Sequence, residues 1–158
     1  MKMAHFFRPL LCVFICLLVG GGSGFLTVDS INTWYIDINK PFFNPPNWIF
    51  GPVWTTLYTL MGVSAGLIWN TGAKDKNTKK ALFAFSIHLM LNGLWSILFF
   101  GLKNPELAFA EILLLLTSII YFTALFYRIR PITAWMQAPY IAWVGFATLL
   151  NGSIAWLN

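Results

Sequence analysis

Five separate runs of this chain are long and apolar enough to cross a lipid bilayer, and that feature constrains its fold more than any other. A hydrocarbon core ~30 Å thick takes ~20 residues of helix at 1.5 Å rise, and unpaired backbone groups are not tolerated inside it. The runs cover residues of about 9–28, 46–69, 81–101, 105–127 and 132–157. Only 9% of the 158 residues are charged, against roughly a quarter in soluble domains, while 58% are hydrophobic. The expected fold is therefore a single all-α membrane domain over residues 1–158, a bundle of five transmembrane helices in contact with the lipid bilayer.

Local signals agree with these limits. Asn44, Pro45 and Pro46 precede the second run, and Asn104 caps Pro105 and Glu106 at the start of the fourth. Pro139 lies inside the fifth, where it predicts a kink or a later start. The first run has Lys2 and Arg8 before it and small residues from Gly20 to Gly24, so it also fits a secretory leader. Its apolar character continues through Phe25, Leu26 and Val28, which favours a span. Gly20 and Gly24 form a GxxxG pair suited to close helix packing.

Basic residues fall unevenly on the two sides. Lys2, Arg8, Lys74, Lys76, Lys79, Lys80, Arg128 and Arg130 share one side, and Lys40 and Lys103 the other. The positive-inside rule then places the N-terminus in the cytoplasm and the C-terminus outside. The net charge of +5 is dispersed in short clusters between apolar runs, a pattern of membrane flanks rather than of a nucleic-acid stripe. The run from Lys74 to Lys80 reads as a cytoplasmic turn that sets topology.

Depth along each helix sorts the unusual residues. Trp48, Trp69, Trp135 and Trp156 fall at the two interfaces, where indoles anchor helices. Trp54 and Trp95 lie about 8 and 9 Å below the outer surface and Trp143 lies near mid-membrane, so the three can line one cavity or simply pack the bundle. Asn92, Glu111 and Asn151 stand at a similar level, as functional groups or as interhelical hydrogen-bond donors and acceptors. His88 approaches from the cytoplasmic side of the third run, too far in depth from Glu111 for a direct proton-relay pair, and reads as bonded to a neighbouring helix. Cys12 and Cys16 share a helix face as small reduced core residues, so no metal site is expected.

The connection over residues of about 29–45 is rich in aromatic residues and proline, including Trp34, Tyr35, Phe42 and Phe43, and is expected to fold over the outer mouth as a lid. Prolines 41, 45, 46 and 52 stiffen it. No phosphate-binding glycine loop, zinc-protease motif or serine nucleophile elbow is present.

Several strings in the chain are distinctive together: Trp34-Tyr35, Lys40-Pro41-Phe42, Pro45-Pro46-Asn47-Trp48 and Phe50-Gly51-Pro52-Val53-Trp54-Thr55. They are followed by Leu91-Asn92 with Trp95, Phe99-Phe100-Gly101, Pro139-Tyr140 with Trp143, Phe146-Ala147 and Leu150-Asn151. In order and spacing they resemble the TspO/MBR family, the tryptophan-rich sensory proteins whose eukaryotic relatives are translocator protein, or peripheral-type benzodiazepine receptor. The resemblance covers nearly the whole chain.

What the resemblance implies is a five-helix bundle, commonly a homodimer, that needs no cofactor and binds porphyrins such as protoporphyrin IX, other haem-like tetrapyrroles and drug-like ligands under the first loop. It marks Phe50, Trp54, Tyr58, Asn92, Trp95, Trp143 and Ala147 as pocket residues, with Gly145 and Ala147 leaving room for a flat ligand. It also brings in a light-dependent degradation of protoporphyrin IX, described for some bacterial relatives, in which Trp54 and Trp143 would be the catalytic pair. The activity thus stays open between binding with a sensory or transport role, degradation, and a scaffold or channel. The eukaryotic cholesterol motif, a Tyr and then a basic residue after the position of Asn151, is absent, which argues against cholesterol by that route. The looser pattern from Leu125 to Arg130 is a weak substitute. Both the short tail and the missing motif point to a bacterial cell membrane rather than a mitochondrial outer membrane.

Overall fold

The computed structural model describes residues 2–158, with side chains described from His5 onward. The side chain of Lys2, counted above in the charge asymmetry, lies outside the described residues. Helices α1 (Lys2–Asn32), α2 (Trp34–Asp37), α3 (Asn47–Thr71), α4 (Lys76–Ser96), α5 (Pro105–Ile129), α6 (Pro131–Trp135) and α7 (Ala138–Leu157) follow one another, and the described residues contain no strand. The five long helices run alternately up and down, so one end of the bundle carries the connection holding α2, here called the lid end.

Four helical segments are long and apolar enough to cross a membrane: His5–Asn32, Lys76–Gly101, Pro105–Ile129 and Pro131–Leu157. Helix α3 has 25 residues and no charged side chain, but its Trp, Tyr, Thr, Gly and Asn content dilutes its hydropathy. That composition suits its packing. Leu57, Tyr58, Met61, Gly62, Ser64, Ala65, Gly66 and Ile68 are all buried against neighbouring helices. Small residues let backbones approach closely where lipid supplies no hydrophobic driving force.

The closest approach in the bundle differs from the one the sequence suggested. A Cβ added at Gly62 would overlap the backbone of Val13, and one at Gly66 would overlap Pro9. The tight α1–α3 crossing therefore uses a GxxxG pair on α3. Of the α1 pair, Gly20 packs on the Tyr58 ring, while Gly24 meets nothing within 4 Å.

Helix starts follow the expected chemistry. Asn104 Oδ1 accepts the Leu107 amide at 2.9 Å, with Pro105 in the first turn. Asp75 Oδ2 accepts the Thr78 amide at 2.8 Å, which holds its carboxyl below the ordinary 3.8. Asn44 does not cap α3. Pro46 occupies that place, and Asn44 instead bonds within the lid. At the start of the fifth run the chain breaks after α6, and Pro139 sits in the first turn of α7, so it marks a later start rather than a kink.

Helix α4 ends in a π-helical turn, Ile97–Gly101, closed by Leu102 N–H on the Ile97 carbonyl at 2.8 Å. Lys103 then turns the chain with φ 53 toward α5. Such turns insert one extra residue per helical repeat and re-aim the side chains beyond them, often beside functional sites. Here they deliver Phe99 into the lid-end core and Phe100 to a cavity wall.

The interfacial tryptophans divide. Trp48, Trp135 and Trp156 are 74%, 69% and 90% exposed, as lipid-interface anchors should be. Trp69 is half-buried beneath the Arg8 guanidinium, 5.4 Å from its ring. Cys16 is buried, Cys12 partly so, and both are free thiols.

Candidate functional site

A cavity of about 390 Å³ opens between the lid halves of α1, α3, α4 and α7. Its volume falls within the ~300–1,000 Å³ typical of small-molecule sites. Phe50, Trp54 and Tyr58 reach it from successive turns of α3, Trp95 from α4, and Trp143 and Ala147 from α7. Spacings of three or four residues place each set on one helix face. Among the described residues, no charged side chain lines the cavity.

Its aromatic walls interlock. Trp54 and Tyr58 lie with ring centroids 5.5 Å apart, Trp54 meets Tyr140 edge-on at 6.3 Å, and Phe50 meets Trp143 at 5.9 Å. Trp95 stacks on Phe99 at 5.2 Å, one helical turn away. Each contact fixes the plane of a ring that faces the cavity, so the surface offered to a ligand is largely preformed.

Asn92 is the one expected pocket residue that does not line the cavity. It lies beneath the floor, accepting a hydrogen bond from the Tyr58 hydroxyl and donating to Tyr140 Oη at 2.7 Å. From Tyr140 the chain of contacts continues to His88 Nε2 at 3.3 Å, and His88 Nδ1 meets Ser118 Oγ at 3.3 Å. His88 thus bridges α7 and α5 from α4. A further buried pair, Gln137 Nε2 donating to Ser64 Oγ at 2.5 Å, lies nearer the end opposite the lid. Buried polar groups consequently occur at several depths.

Asn151, also on the cavity wall, accepts from Trp95 Nε1 at 3.0 Å and donates to the Pro105 carbonyl at 2.7 Å. One side chain therefore joins α7 to α4 and α5. Gly145 does not border the cavity, so the space for a flat ligand comes from Ala147 alone of the two. Both carboxylate oxygens of buried Glu111 and the Trp143 indole nitrogen lack a hydrogen-bond partner among the described residues.

Of the lid aromatics, Tyr35 covers the cavity and is 4% exposed. Its hydroxyl donates to Asn44 Oδ1 at 2.9 Å, and burial raises the phenol above its ordinary range. Trp34 packs edge-on against Phe99 at 5.7 Å. Phe42 and Phe43 stay outside: Phe42 is fully exposed, and Phe43 packs on Phe146 at a surface groove. The loop is fastened by Lys40 Nζ, which donates to the carbonyls of Tyr35, Ile36 and Ile38 at 2.6, 3.1 and 2.9 Å. It is also tied to the end of α7, where Asn39 N–H donates to Asn158 Oδ1 at 2.9 Å and Asn158 Nδ2 returns to the Asn39 carbonyl at 3.0 Å.

Sequence reasoning missed the α1 wall. Gly21, Ser23, Gly24, Thr27 and Ile31 all border the cavity. The signal that would have found them is small residues recurring every three or four positions from Gly20, on a helix otherwise rich in Leu, Val and Phe.

The profile of the TspO/MBR family matches residues 12–157. A tryptophan-rich protein TspO of Archaeoglobus fulgidus is 41% identical over 142 residues, covering 90% of this chain and 91% of its own. Its counterpart in Chlorobaculum tepidum is 36% identical over 148 residues, covering 94% of both chains. The human translocator protein is 34% identical over 131 residues, covering 82% of this chain and 77% of its own. The family profile spans every residue that lines the cavity, from Gly20 to Ile154, and the chain belongs to the TspO/MBR family.

Proposed function

We propose that the protein is a membrane receptor of sensory or transport type that binds porphyrins and other flat hydrophobic molecules in the cavity beneath Tyr35. The observation that carries this reading is the meeting of Trp54, Trp95 and Trp143, from three helices, around one apolar cavity. Large π-faces stack on planar rings, and a volume of about 390 Å³ is too large to be a packing defect. Relatives bearing the names translocator protein and tryptophan-rich sensory protein support a receptor role.

In this reading α3 is a fifth span beside the four more apolar ones, the lid end faces outward, and the basic end with Arg8, Lys74 and Lys80 faces the cytoplasm. The membrane is that of a bacterial cell, and the protein associates as a homodimer, which sedimentation in detergent tests. No cofactor is required.

Titration of purified protein with protoporphyrin IX, followed by tryptophan fluorescence, is the test. Saturable quenching that weakens in Trp54→Ala and Trp143→Ala supports the reading. Quenching that never saturates, or that both substitutions leave unchanged, overturns it.

A further inference from the structure

The cavity has two ways out, and they are unequal. Above it, the lid is fastened by Lys40 on three carbonyls and by the reciprocal Asn39–Asn158 pair. At its side, between α1 and α3, the wall is open. Gly21 and Gly24 on α1 and Asn47, Gly51 and Thr55 on α3 border the cavity and are exposed on the bundle surface. A Cβ built at Gly21, Gly24 or Gly51 meets nothing within 4 Å.

The gap follows from how these two helices are joined. Their close backbone contacts, Gly62 on Val13 and Gly66 on Pro9, lie toward the end opposite the lid, and the last close glycine contact toward the lid is Gly20 on the Tyr58 ring. Their hydrogen bonds also lie opposite the lid: Arg8 donates to the Trp69 carbonyl at 3.2 Å, and Asn70 donates to the His5 carbonyl at 2.8 Å. Helices pinned at one end diverge toward the other. Along the diverging stretch, Asn47, Gly51 and Thr55 recur every four residues, so the slot is edged for about 12 Å. Between α4 and α7 the wall has no such freedom, because Asn151 bonds α7 to both α4 and α5, and between α3 and α7 the Phe50 and Trp143 rings meet at 5.9 Å.

We propose that the ligand reaches the cavity sideways, from the lid-end leaflet of the bilayer, through the slot between α1 and α3. The ligand class is then a flat hydrophobic molecule already dissolved in lipid, admitted edge-on, and the lid is a fixed roof rather than a gate. This inference rests on the ligand-binding reading above. It adds the phase from which the ligand comes and the residues that control its admission.

The experiment uses full-length protein in phosphatidylcholine nanodiscs and stopped-flow quenching by protoporphyrin IX. Gly24→Leu with Gly51→Leu narrows the slot, and Thr55→Leu alone is a milder obstruction should the double variant fold poorly. Obstructing a passage slows association and dissociation together, so both rates should fall by about tenfold, and a dissociation rate that falls rather than rises separates obstruction from lost ligand contacts. Asn39→Ala with Asn158→Ala, which loosens the roof, should leave the association rate unchanged. Normal equilibrium binding with unaltered rates in the narrowed variants overturns the side passage alone, as does faster association in the roof variant. Absence of saturable quenching in the unmodified protein overturns the binding reading, and the passage with it.

Discussion

The Tyr58 hydroxyl donates to Asn92 directly under the cavity, and the Asn92 amide donates onward to Tyr140 Oη at 2.7 Å, so one asparagine ties a cavity-lining ring to a residue buried between α4 and α7. Tyr140 is 1% exposed and Asn92 3%. Tyr58, at 6%, is buried as well. The orientation of the Tyr58 ring, and through it that of Trp54, depends on this bridge.

Replacing Asn92 by Leu should therefore leave the Tyr58 hydroxyl without its acceptor and Tyr140 with His88 alone, and destabilise the protein by about 1–2 kcal/mol, within the range of interhelical bonds in membranes. Thermal unfolding in detergent measures it, with weaker porphyrin quenching as a second readout. An unchanged melting temperature would show that the bridge contributes nothing.

The α1–α3 crossing predicts a sharp contrast between glycines on the two helices. Gly62→Val or Gly66→Val would force α1 away from α3, because the neighbour in each case is backbone and cannot rotate aside. A loss of about 1–3 kcal/mol or more is expected, as for overpacking in other dense cores. Gly24→Ala meets open space and should be neutral or slightly stabilising. Equal effects at Gly24 and Gly62 would contradict the packing described.

Fastening of the lid can be read by hydrogen exchange. Asn158→Ala removes the acceptor for the Asn39 amide and the donor to the Asn39 carbonyl. Exchange of the Asn39 amide should accelerate several-fold, in line with the loss of one or two hydrogen bonds at about 0.5–1.5 kcal/mol each. Exchange within α5 should not change.

A pH dependence attaches to the start of α4. The Thr78 amide lowers the Asp75 carboxyl in the folded protein, so ionised Asp75 contributes stability above its ordinary 3.8 and loses it as pH falls through the lower folded value. Acidification below that range should fray the first turn of α4, seen as faster exchange of the Thr78 amide. Asp75→Asn, which keeps a capping oxygen, should abolish the pH dependence without fraying the turn.

Illumination separates binding from degradation. With protoporphyrin IX bound and light supplied, a receptor returns its ligand chemically intact, and that is the expected result by product analysis. Conversion to a new pigment, lost in Trp54→Phe or Trp143→Phe, would instead make these indoles reactive groups.

Much of the site was legible before any coordinates. Trp54, Trp95 and Trp143 border one cavity and were set apart by depth, which helical rise converts from sequence position, whereas Phe50, Tyr58 and Ala147, which border it too, came from the family resemblance. Other expectations needed correction. Phe42 and Phe43 look like lid aromatics by composition, yet the bonds of Lys40 and Asn39 hold their segment to the side. The bonds between Asn39 and Asn158, 119 residues apart, leave no local pattern to read.

Taken alone, the sequence determined the solvent, the approximate places of the long helices and the Asn104 cap, since bilayer thickness and orphaned backbone groups act on each segment by itself. It could not determine how each helix is rotated about its axis. In lipid both the buried and the exposed face of a helix are apolar, so the periodicity that marks the inside of a soluble protein is muted. That rotation was decided by the tertiary structure. Gly62 and Gly66 seat on the backbone of Val13 and Pro9, the π turn at Ile97–Gly101 re-aims Phe99 and Phe100, and α1 and α3 part where nothing joins them.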